Sequence, residues 1–252
     1  MCTVVILRRP HHDWPLLLAA NRDEMAARPW DPPARHWPDR ENVVAGIDQL
    51  AGGTWMGLND QGLVAGILNR QDSLGPDDLL RSRGEIVLEA LDHADAADAA
   101  EALSNLDGRS YRSFNLVIAD NRDAFWIRSM GEVADGRIDV AEIPAGVSMM
   151  TALDLNDKAS GRVAYYKPRF DAAAAPDVDG GDWSSWQELL ASADHGADTD
   201  SRDAMSITTD FGFATLSSSL IALPSMDFSD RKPIWQFAAG APGTVSFVPV
   251  EL

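Results

Sequence analysis

A chain of 252 residues in which 45% are hydrophobic is long enough to bury a sizeable core, and we expect one domain over residues 1–252. The 39 acidic residues outnumber the 21 basic ones and give a formal net charge of −18, which argues against nucleic acid as a partner because phosphate backbones are also negative. The single cysteine forms no internal disulfide and no apolar run near the start could cross a membrane or act as a signal sequence, so we expect a cytoplasmic protein without an integral membrane segment.

The first forty residues predict a hairpin followed by an irregular segment. Thr3–Leu7 and Leu16–Ala20 are continuous apolar runs joined by the polar turn Pro10–Pro15, which is typical of two buried strands. The prolines between Arg28 and Asp39 predict a rigid surface loop, because proline cannot donate a backbone hydrogen bond.

The rest of the chain alternates between groups of strands and pairs of helices. Asn59-Asp60-Gln61-Gly62 is typical of a hairpin turn, and Asp177–Asp182 predicts a flexible loop between two helices. The remaining predicted strands are Trp55–Leu58, Leu63–Leu68, Phe114–Ala119, Phe125–Arg128, Ile138–Ile143, Val147–Thr151, Ala214–Leu223, Ile234–Ala238 and Thr244–Val250. The predicted helices are Arg83–Leu91, Ala94–Leu106, Arg162–Phe170 and Trp183–Ala191. This order favours two packed sheets with outer helix layers over a doubly wound parallel sheet.

Cys2 carries the first candidate chemistry. A second residue this small permits removal of the initiator methionine, which would leave Cys2 with both a thiol and a free α-amine. A free α-amine has a pKa of about 7.7–8.0, so it can take the thiol proton and make a nucleophile and its base from one residue. The alternative, which holds for most lone cysteines, is a small apolar residue that opens a buried strand.

Two further polar clusters follow predicted strands. In Asn21-Arg22-Asp23-Glu24, Arg22 could hold a thiolate by Coulomb attraction and Asp23 could orient an ammonium, whereas the alternative is a solvated ion pair at a strand end. Asn69 closes the last strand of a glycine-rich hairpin, where its amide could face a developing oxyanion. The alternative for Asn69 is an amide that satisfies its own turn.

No motif in the sequence requires a metal or a cofactor. His11-His12-Asp13 contains side chains of the ligand type, but adjacent histidines in a turn define no geometry and no second cluster completes a tetrahedral site. We therefore assign no metal. Phosphate loops, dinucleotide-binding fingerprints and nucleophile-elbow serines are also missing from the sequence.

The clusters together resemble the hallmarks of a known family. Cys2, the Asn21-Arg22-Asp23-Glu24 tetrapeptide and the Gly52–Leu58 segment are similar to those of the NRDE family, which is named after that tetrapeptide and includes eukaryotic transport-and-Golgi-organisation proteins. More distantly, Met1-Cys2-Thr3 and the Leu58–Leu63 hairpin followed by Leu68-Asn69 resemble the choloylglycine hydrolase and penicillin acylase group.

The resemblance implies a fold and a set of site residues. The fold is α+β, the four-layer α/β/β/α sandwich of the N-terminal nucleophile hydrolases. Cys2 is then the nucleophile, Asp23 lies near its amine and Asn69 belongs to the oxyanion hole, and we add Arg22 to the catalytic candidates. The substrate-binding candidates are Asn21, Trp55 and Asn59.

Three positions depart from the patterns of these relatives. Ala20 stands where the hydrolases usually carry an arginine, and Leu216 stands where NRDE relatives tend to have one. Ala152 stands where a second catalytic asparagine is expected, with Asn156 as the candidate substitute. These departures bear on substrate recognition and on catalysis itself.

Three functions follow as alternatives. The first is a cysteine N-terminal nucleophile amidohydrolase or acyltransferase that acts on a small amide or acyl substrate and requires no cofactor. The second is a non-catalytic carrier of haem or acyl-CoA, because NRDE relatives have been linked to haem trafficking and to lipid or acyl-CoA metabolism; His36 beside Trp37 is the candidate haem contact. The third is an assembly module that uses Trp30, Trp37 and the proline-rich loop as a partner surface.

Overall fold

The computed structural model describes residues 1–75, 77, 79–228 and 230–252, and these residues divide into two compact units. The first unit contains residues 1–27 and 144–250, and the second contains residues 28–143 and 251–252. Each unit is built on one antiparallel sheet with two α-helices. The mixture agrees with the predicted α+β class, and the expectation of a single domain stays a prediction.

The regular elements follow the predicted order of strands, helices, strands, helices and strands. The strands are β1 (Thr3–Arg8), β2 (Leu16–Met25), β3 (Trp30–Ala34), β4 (Val43–Asp48), β5 (Met56–Asn59), β6 (Val64–Asn69), β7 (Phe114–Ala119), β8 (Ala124–Ser129), β9 (Ile138–Glu142), β10 (Gly146–Met150), β11 (Phe213–Leu223), β12 (Ile234–Ala238) and β13 (Val248–Pro249). The helices are α1 (Gly84–Leu91), α2 (Ala96–Leu103), α3 (Gly161–Ala172) and α4 (Ser184–Ala191).

The sheet of the first unit is centred on the β1–β2 hairpin. Its strand order is β10-β1-β2-β11-β12-β13, and Thr3 pairs with Asn21 at the start of β1. Side chains alternate between the two faces of a strand, so the odd-numbered residues of β1 and β2 share one face. That face packs its apolar residues, such as Leu17 and Ala19, against Tyr166 of α3 and the residues of α4.

Two local features bring polar side chains to the same face. Ser160 caps α3 by accepting a hydrogen bond from the Val163 N–H, which places Arg162 in the first helical turn. A bulge in β11 shifts its register against β2 between Thr215 and Ser217. Because of this extra residue, Thr215 and Ser218 both face the helices. In a regular strand, two residues three positions apart would face opposite sides of the sheet.

The sheet of the second unit is a simple meander with the order β3-β4-β5-β6-β7-β8-β9. Helices α1 and α2 bury one face of this sheet under an apolar core. The turn between β5 and β6 matches the predicted hairpin, with Gly62 at φ +84°, a conformation that glycine adopts without strain. The core residues include Val43, Leu63, Ile86, Leu91, Leu103 and Leu116.

Three predictions of local structure need correction. The proline-rich segment was expected to be irregular, but Trp30–Ala34 forms a strand because it lies at the edge of the sheet, where Pro32 and Pro33 need not donate to a neighbour. Of the predicted strand Thr244–Val250, only Val248 and Pro249 are assigned to a strand, β13. Thr244 lies in a turn, where its N–H donates to the Ala241 carbonyl. The predicted flexible loop at Asp177–Asp182 is a turn closed by reciprocal backbone hydrogen bonds of 2.9 Å.

Among the described residues, no helix combines the length and apolar character that a membrane span requires.

Candidate active site

Asp23 is the centre of a buried polar network near the end of β2. Its Oδ1 accepts a hydrogen bond from Thr215 Oγ1 at 2.7 Å. Its Oδ2 accepts from Arg162 Nη1 and from the Met1 ammonium, each at 3.0 Å. The side chains of Asp23 and Arg162 are both 0% exposed, so the carboxylate relies on these partners instead of water. Its position and orientation are therefore fixed from three sides.

The Cys2 thiol lies beside the same residue but is directed to the other face of the sheet. Thr3 contacts Arg162 on the helix-facing side, so strand alternation directs Cys2 away from the helices. The Cys2 Sγ donates to the backbone carbonyl of Asp23 at 3.4 Å. The thiol and the first amine of the chain therefore meet opposite sides of one residue.

The electrostatic surroundings keep this sulfur protonated at rest. Burial raises the pKa of the Cys2 thiol because it disfavours the charged thiolate, and the nearby Asp23 carboxylate raises it further. The ammonium at the chain start, the hydrogen bond to Asp23 and the Arg22 cation lower the pKa by smaller amounts. The Arg22 cation does not offset the effects of burial and Asp23, so the role expected of Arg22 stays a prediction. A thiol in this state needs a base to become a nucleophile.

Asn21 has a structural role in the first unit. Its Nδ2 donates to the carbonyls of Leu190 and Met205 at 2.9 Å each. Its Oδ1 accepts from Ser218 Oγ at 2.6 Å. Both donors and one acceptor site are thus used within the core, which supports anchoring of α4 rather than contact with a substrate.

The candidates in the second unit have different surroundings. Asn59 Nδ2 donates to the carbonyls of Leu91 and His93, and its Oδ1 accepts from the N–H groups of Gln61 and Leu63. These four bonds close a hairpin and the end of α1, which supports a structural role instead of the expected substrate-binding one. Trp55 packs edge-on against Trp30 with ring centroids 5.7 Å apart.

Asn69 remains the candidate oxyanion donor. It is the last residue of β6, it is partly exposed, and its backbone pairs with Phe114. Its side-chain amide forms no hydrogen bond with any residue that the structure describes, so its donors are available to a ligand. Because Cys2 and Asn69 belong to different units, their expected convergence stays a prediction.

Asn156, the candidate substitute for the family asparagine, and His36, the candidate haem contact, both form local hydrogen bonds. Asn156 accepts from the Met149 N–H at 2.8 Å and donates to Ser148 Oγ at 3.3 Å, so it holds its loop against β10. Its φ of +60° is one that asparagine tolerates better than most residues. His36 Nε2 hydrogen-bonds the Pro32 carbonyl at 2.8 Å. Within the described ranges, no three histidine, cysteine or acidic side chains are grouped to hold a metal ion.

Sequence reasoning missed Arg162 and Thr215. Neither belongs to a recognisable motif, and they contact Asp23 across 139 and 192 positions of the chain. One signal was present: a buried carboxylate requires a cation, and Arg162 follows a helix cap in an otherwise half-apolar segment. The structure thus adds a guanidinium and a hydroxyl to the predicted site.

The family model described as Transport and Golgi organisation 2 matches residues 1–220. The chain belongs to this family. The human and mouse Transport and Golgi organisation 2 homologues are each 36% identical to it over 109 residues, which is 42% of this chain and 38% of the relative. The match therefore spans less than half the length of these relatives, and it confirms the resemblance expected from the tetrapeptide.

Solved structures show the fold of this Transport and Golgi organisation 2 family member. A Caenorhabditis elegans N-acylethanolamine-hydrolyzing acid amidase ortholog has a TM-score of 0.58 at 12% identity, covering 99% of this chain and 100% of its own. Penicillin V acylase from Agrobacterium tumefaciens has a TM-score of 0.50 at 16% identity, with coverages of 94% and 83%. A mutant conjugated bile acid hydrolase from Clostridium perfringens has a TM-score of 0.54 at 12% identity, with coverages of 99% and 92%. The predicted N-terminal nucleophile hydrolase fold is therefore confirmed.

Proposed function

We propose that this protein is a cysteine N-terminal nucleophile amidohydrolase or acyltransferase that acts on a small amide or acyl substrate. One observation carries the proposal: Asp23 contacts both the Cys2 thiol, at 3.4 Å through its carbonyl, and the first amine of the chain, at 3.0 Å through its carboxylate. Once Met1 is removed, the Cys2 amine is the first amine of the chain, and the proposal gives it the place at the Asp23 carboxylate that the Met1 ammonium holds in the structure. The proposal includes a cytoplasmic location, which suits a free thiol because that compartment is reducing.

The reaction begins after removal of Met1, when the free amine belongs to Cys2 itself. The Cys2 amine takes the Sγ proton while sulfur attacks the substrate carbonyl carbon, and the carbonyl oxygen becomes an oxyanion. The C–N bond then breaks, and the leaving amine receives the proton from the Cys2 ammonium. Water attacks the resulting thioester, releases a carboxylic acid and returns the proton to sulfur. A second acceptor amine in place of water gives acyl transfer.

Asn69 and Asp23 have distinct roles in this scheme. Asn69 would donate its amide hydrogen to the oxyanion, a contact whose loss typically lowers the rate by about 10²–10³-fold. Asp23 would hold the Cys2 ammonium and stabilise it while it carries the proton. Amides and acylated amines are the substrate class to test first, because the named structural neighbours are an amidase, an acylase and a conjugate hydrolase.

The test combines intact mass with acylation of the expressed full chain. We expect the mass to show that Met1 is absent, and p-nitrophenyl acetate to add one acyl group at Cys2 that water then removes. C2A is the matched control, because alanine also permits methionine removal but cannot be acylated at sulfur. Retention of Met1 together with an unreactive Cys2 would overturn the proposal.

A carrier of haem or acyl-CoA is the second candidate function. The observation that favours it is the loss of polar groups at family positions, with Ala152 buried and Asn156 committed to its own loop. Binding of an acyl chain or a macrocycle would not need these catalytic groups. Titration of the full chain with haem and with acyl-CoA tests this candidate, and saturable binding to a chain that cannot be acylated would establish it over the enzyme.

A further inference from the structure

Arg162 is a buried cation outside the predicted motifs. It lies in the first turn of α3, and its side chain is fully shielded from solvent. Arginine is almost never fully buried unless it is paired, because removing its charge from water costs several kcal/mol. The contacts of the guanidinium therefore indicate why it is retained.

The Arg162 guanidinium connects separate parts of the first unit. Nη1 donates to Thr3 Oγ1 at 2.8 Å, to Asp23 Oδ2 at 3.0 Å and to the Met1 carbonyl. Nη2 donates to the carbonyl of Arg202 at 2.8 Å. One rigid, planar group thus holds the starts of β1 and α3 and the carboxylate on β2 in a single arrangement.

Asp23 Oδ2 is shared between Arg162 and the first amine of the chain. Each partner lies 3.0 Å from this oxygen. The Arg162 guanidinium therefore limits the directions from which the amine can approach Oδ2. The ionisable groups at this end of the sheet are Asp23, Arg162, Arg22 and Cys2, with Asp203 against Gly161 at the start of α3.

We propose that Arg162 is a positioning residue: it holds Asp23 so that Asp23 places the α-amine of Cys2 once Met1 is removed. This inference rests on the proposed function, since Arg162 acts through Asp23 and has no contact of its own with the reacting atoms. The competing explanation is that Arg162 only fills core volume. An apolar side chain of similar length would then serve equally well.

The test compares acylation of Cys2 by p-nitrophenyl acetate across a range of pH in wild type, R162M, R162K and K167M. K167M is the matched control, because Lys167 is a cation on the same helix that pairs with Asp171 at the surface. We expect R162M to be acylated about 10- to 100-fold more slowly, since a displacement of about 1 Å in a catalytic group costs up to 10²-fold. Its pH profile should also differ from that of wild type, because a buried cation beside Asp23 is gone.

R162K separates charge from geometry. Lysine keeps the cation but lacks the planar fork, so we expect the wild-type position of the pH profile with a rate about three- to tenfold lower. K167M should match wild type in both rate and profile. Urea unfolding of each variant establishes that it is folded.

Each outcome decides the question. A folded R162M with the wild-type rate and profile would overturn the inference and leave the proposed function intact. Should R162M not fold, R162K decides, because a wild-type rate in that variant would show that the fixed geometry is unnecessary. A wild-type chain that has lost Met1 and gains no more acyl groups than C2A would defeat the proposed function, and this inference with it.

Discussion

The buried network around Asp23 in the first unit differs from the buried polar groups at the turns of the second unit. In the second unit, Asn59 and Asp120 lie at turns and bond mainly to backbone groups, which is what a stable hairpin or helix end requires. In the first unit, the Asp23 carboxylate accepts hydrogen bonds from charged groups. The Arg162 guanidinium and the Met1 ammonium both bond to its Oδ2. Buried charges seldom add net stability over apolar packing, so the Asp23 network fits the function proposed for it better than a contribution to stability alone.

The largest expected effect comes from Asp23→Asn. The substitution keeps the shape of the side chain but leaves Arg162 and the first amine without a counter-charge. Breaking a buried pair in this way costs about 3–5 kcal/mol of unfolding free energy. Urea unfolding at neutral pH measures the loss.

Asp120→Asn is the matched control in the second unit. Asp120 is also buried, but it accepts from the N–H groups of Ala96, Arg122 and Asp123, and an amide oxygen can still accept two of these bonds. We expect a loss of only about 1–2 kcal/mol. Equal losses of unfolding free energy in Asp23→Asn and Asp120→Asn would show that the two buried carboxylates contribute equally to stability, against this comparison.

Most of the fold could be predicted because regular elements leave local patterns. The predicted bounds of β7 and β12 agree with the structure, since each is an apolar run between turn residues. The edge strand β3 could not be predicted, because its prolines oppose a strand unless the position at a sheet edge is known. That position is a property of the whole sheet and leaves no trace in the segment itself.

The site was predictable only where a motif carries it. The motifs singled out Cys2 and Asp23, and the structure places the Cys2 Sγ 3.4 Å from the Asp23 carbonyl oxygen. Thr215 could not be identified, because it faces Asp23 through a bulge that no periodicity reveals. Asn59 was predicted to bind substrate, whereas the structure shows it in four hydrogen bonds to backbone groups at the end of α1 and in the β5–β6 turn.

The second prediction concerns Asn59→Ala. Four backbone groups lose their partner, and those of Leu63 and Leu91 are buried, so we expect a loss of about 2–3 kcal/mol. Asn69→Ala should cost less than about 0.5 kcal/mol, because its side chain bonds to none of the described residues. If Asn69 is the oxyanion donor, Asn69→Ala should slow acylation of Cys2 more than Asn59→Ala does. A stability loss from Asn69→Ala as large as that from Asn59→Ala would argue that Asn69 is structural.

The third prediction is a smaller effect from Thr215→Val. Valine keeps the volume but removes the hydroxyl that donates to Asp23 at 2.7 Å and accepts from the Ile207 N–H at 3.0 Å. We expect a loss of about 1–2 kcal/mol, since a hydrogen bond to a charged group is worth more than a neutral one. Thr54→Val in the second unit, where the hydroxyl bonds to the backbone of Met56 two residues away, is the control and should cost less. The double variant with Asp23→Asn should lose less than the sum of the two.

The smallest expected effect is a pH dependence of stability that Cys2 introduces into the first unit. Burial and Asp23 raise the pKa of the Cys2 thiol above its ordinary value of 9.0, so the folded chain keeps this proton at a pH where the unfolded chain has released it. The resulting contribution to the unfolding free energy is fully present below the ordinary pKa and is lost as pH rises through the raised one. Wild type should therefore lose more stability than C2A between about pH 7 and about pH 10, in urea unfolding followed at each pH. Parallel pH profiles for the two proteins would mean that the sulfur meets water in the folded state, and the need for a base at Cys2 would then weaken.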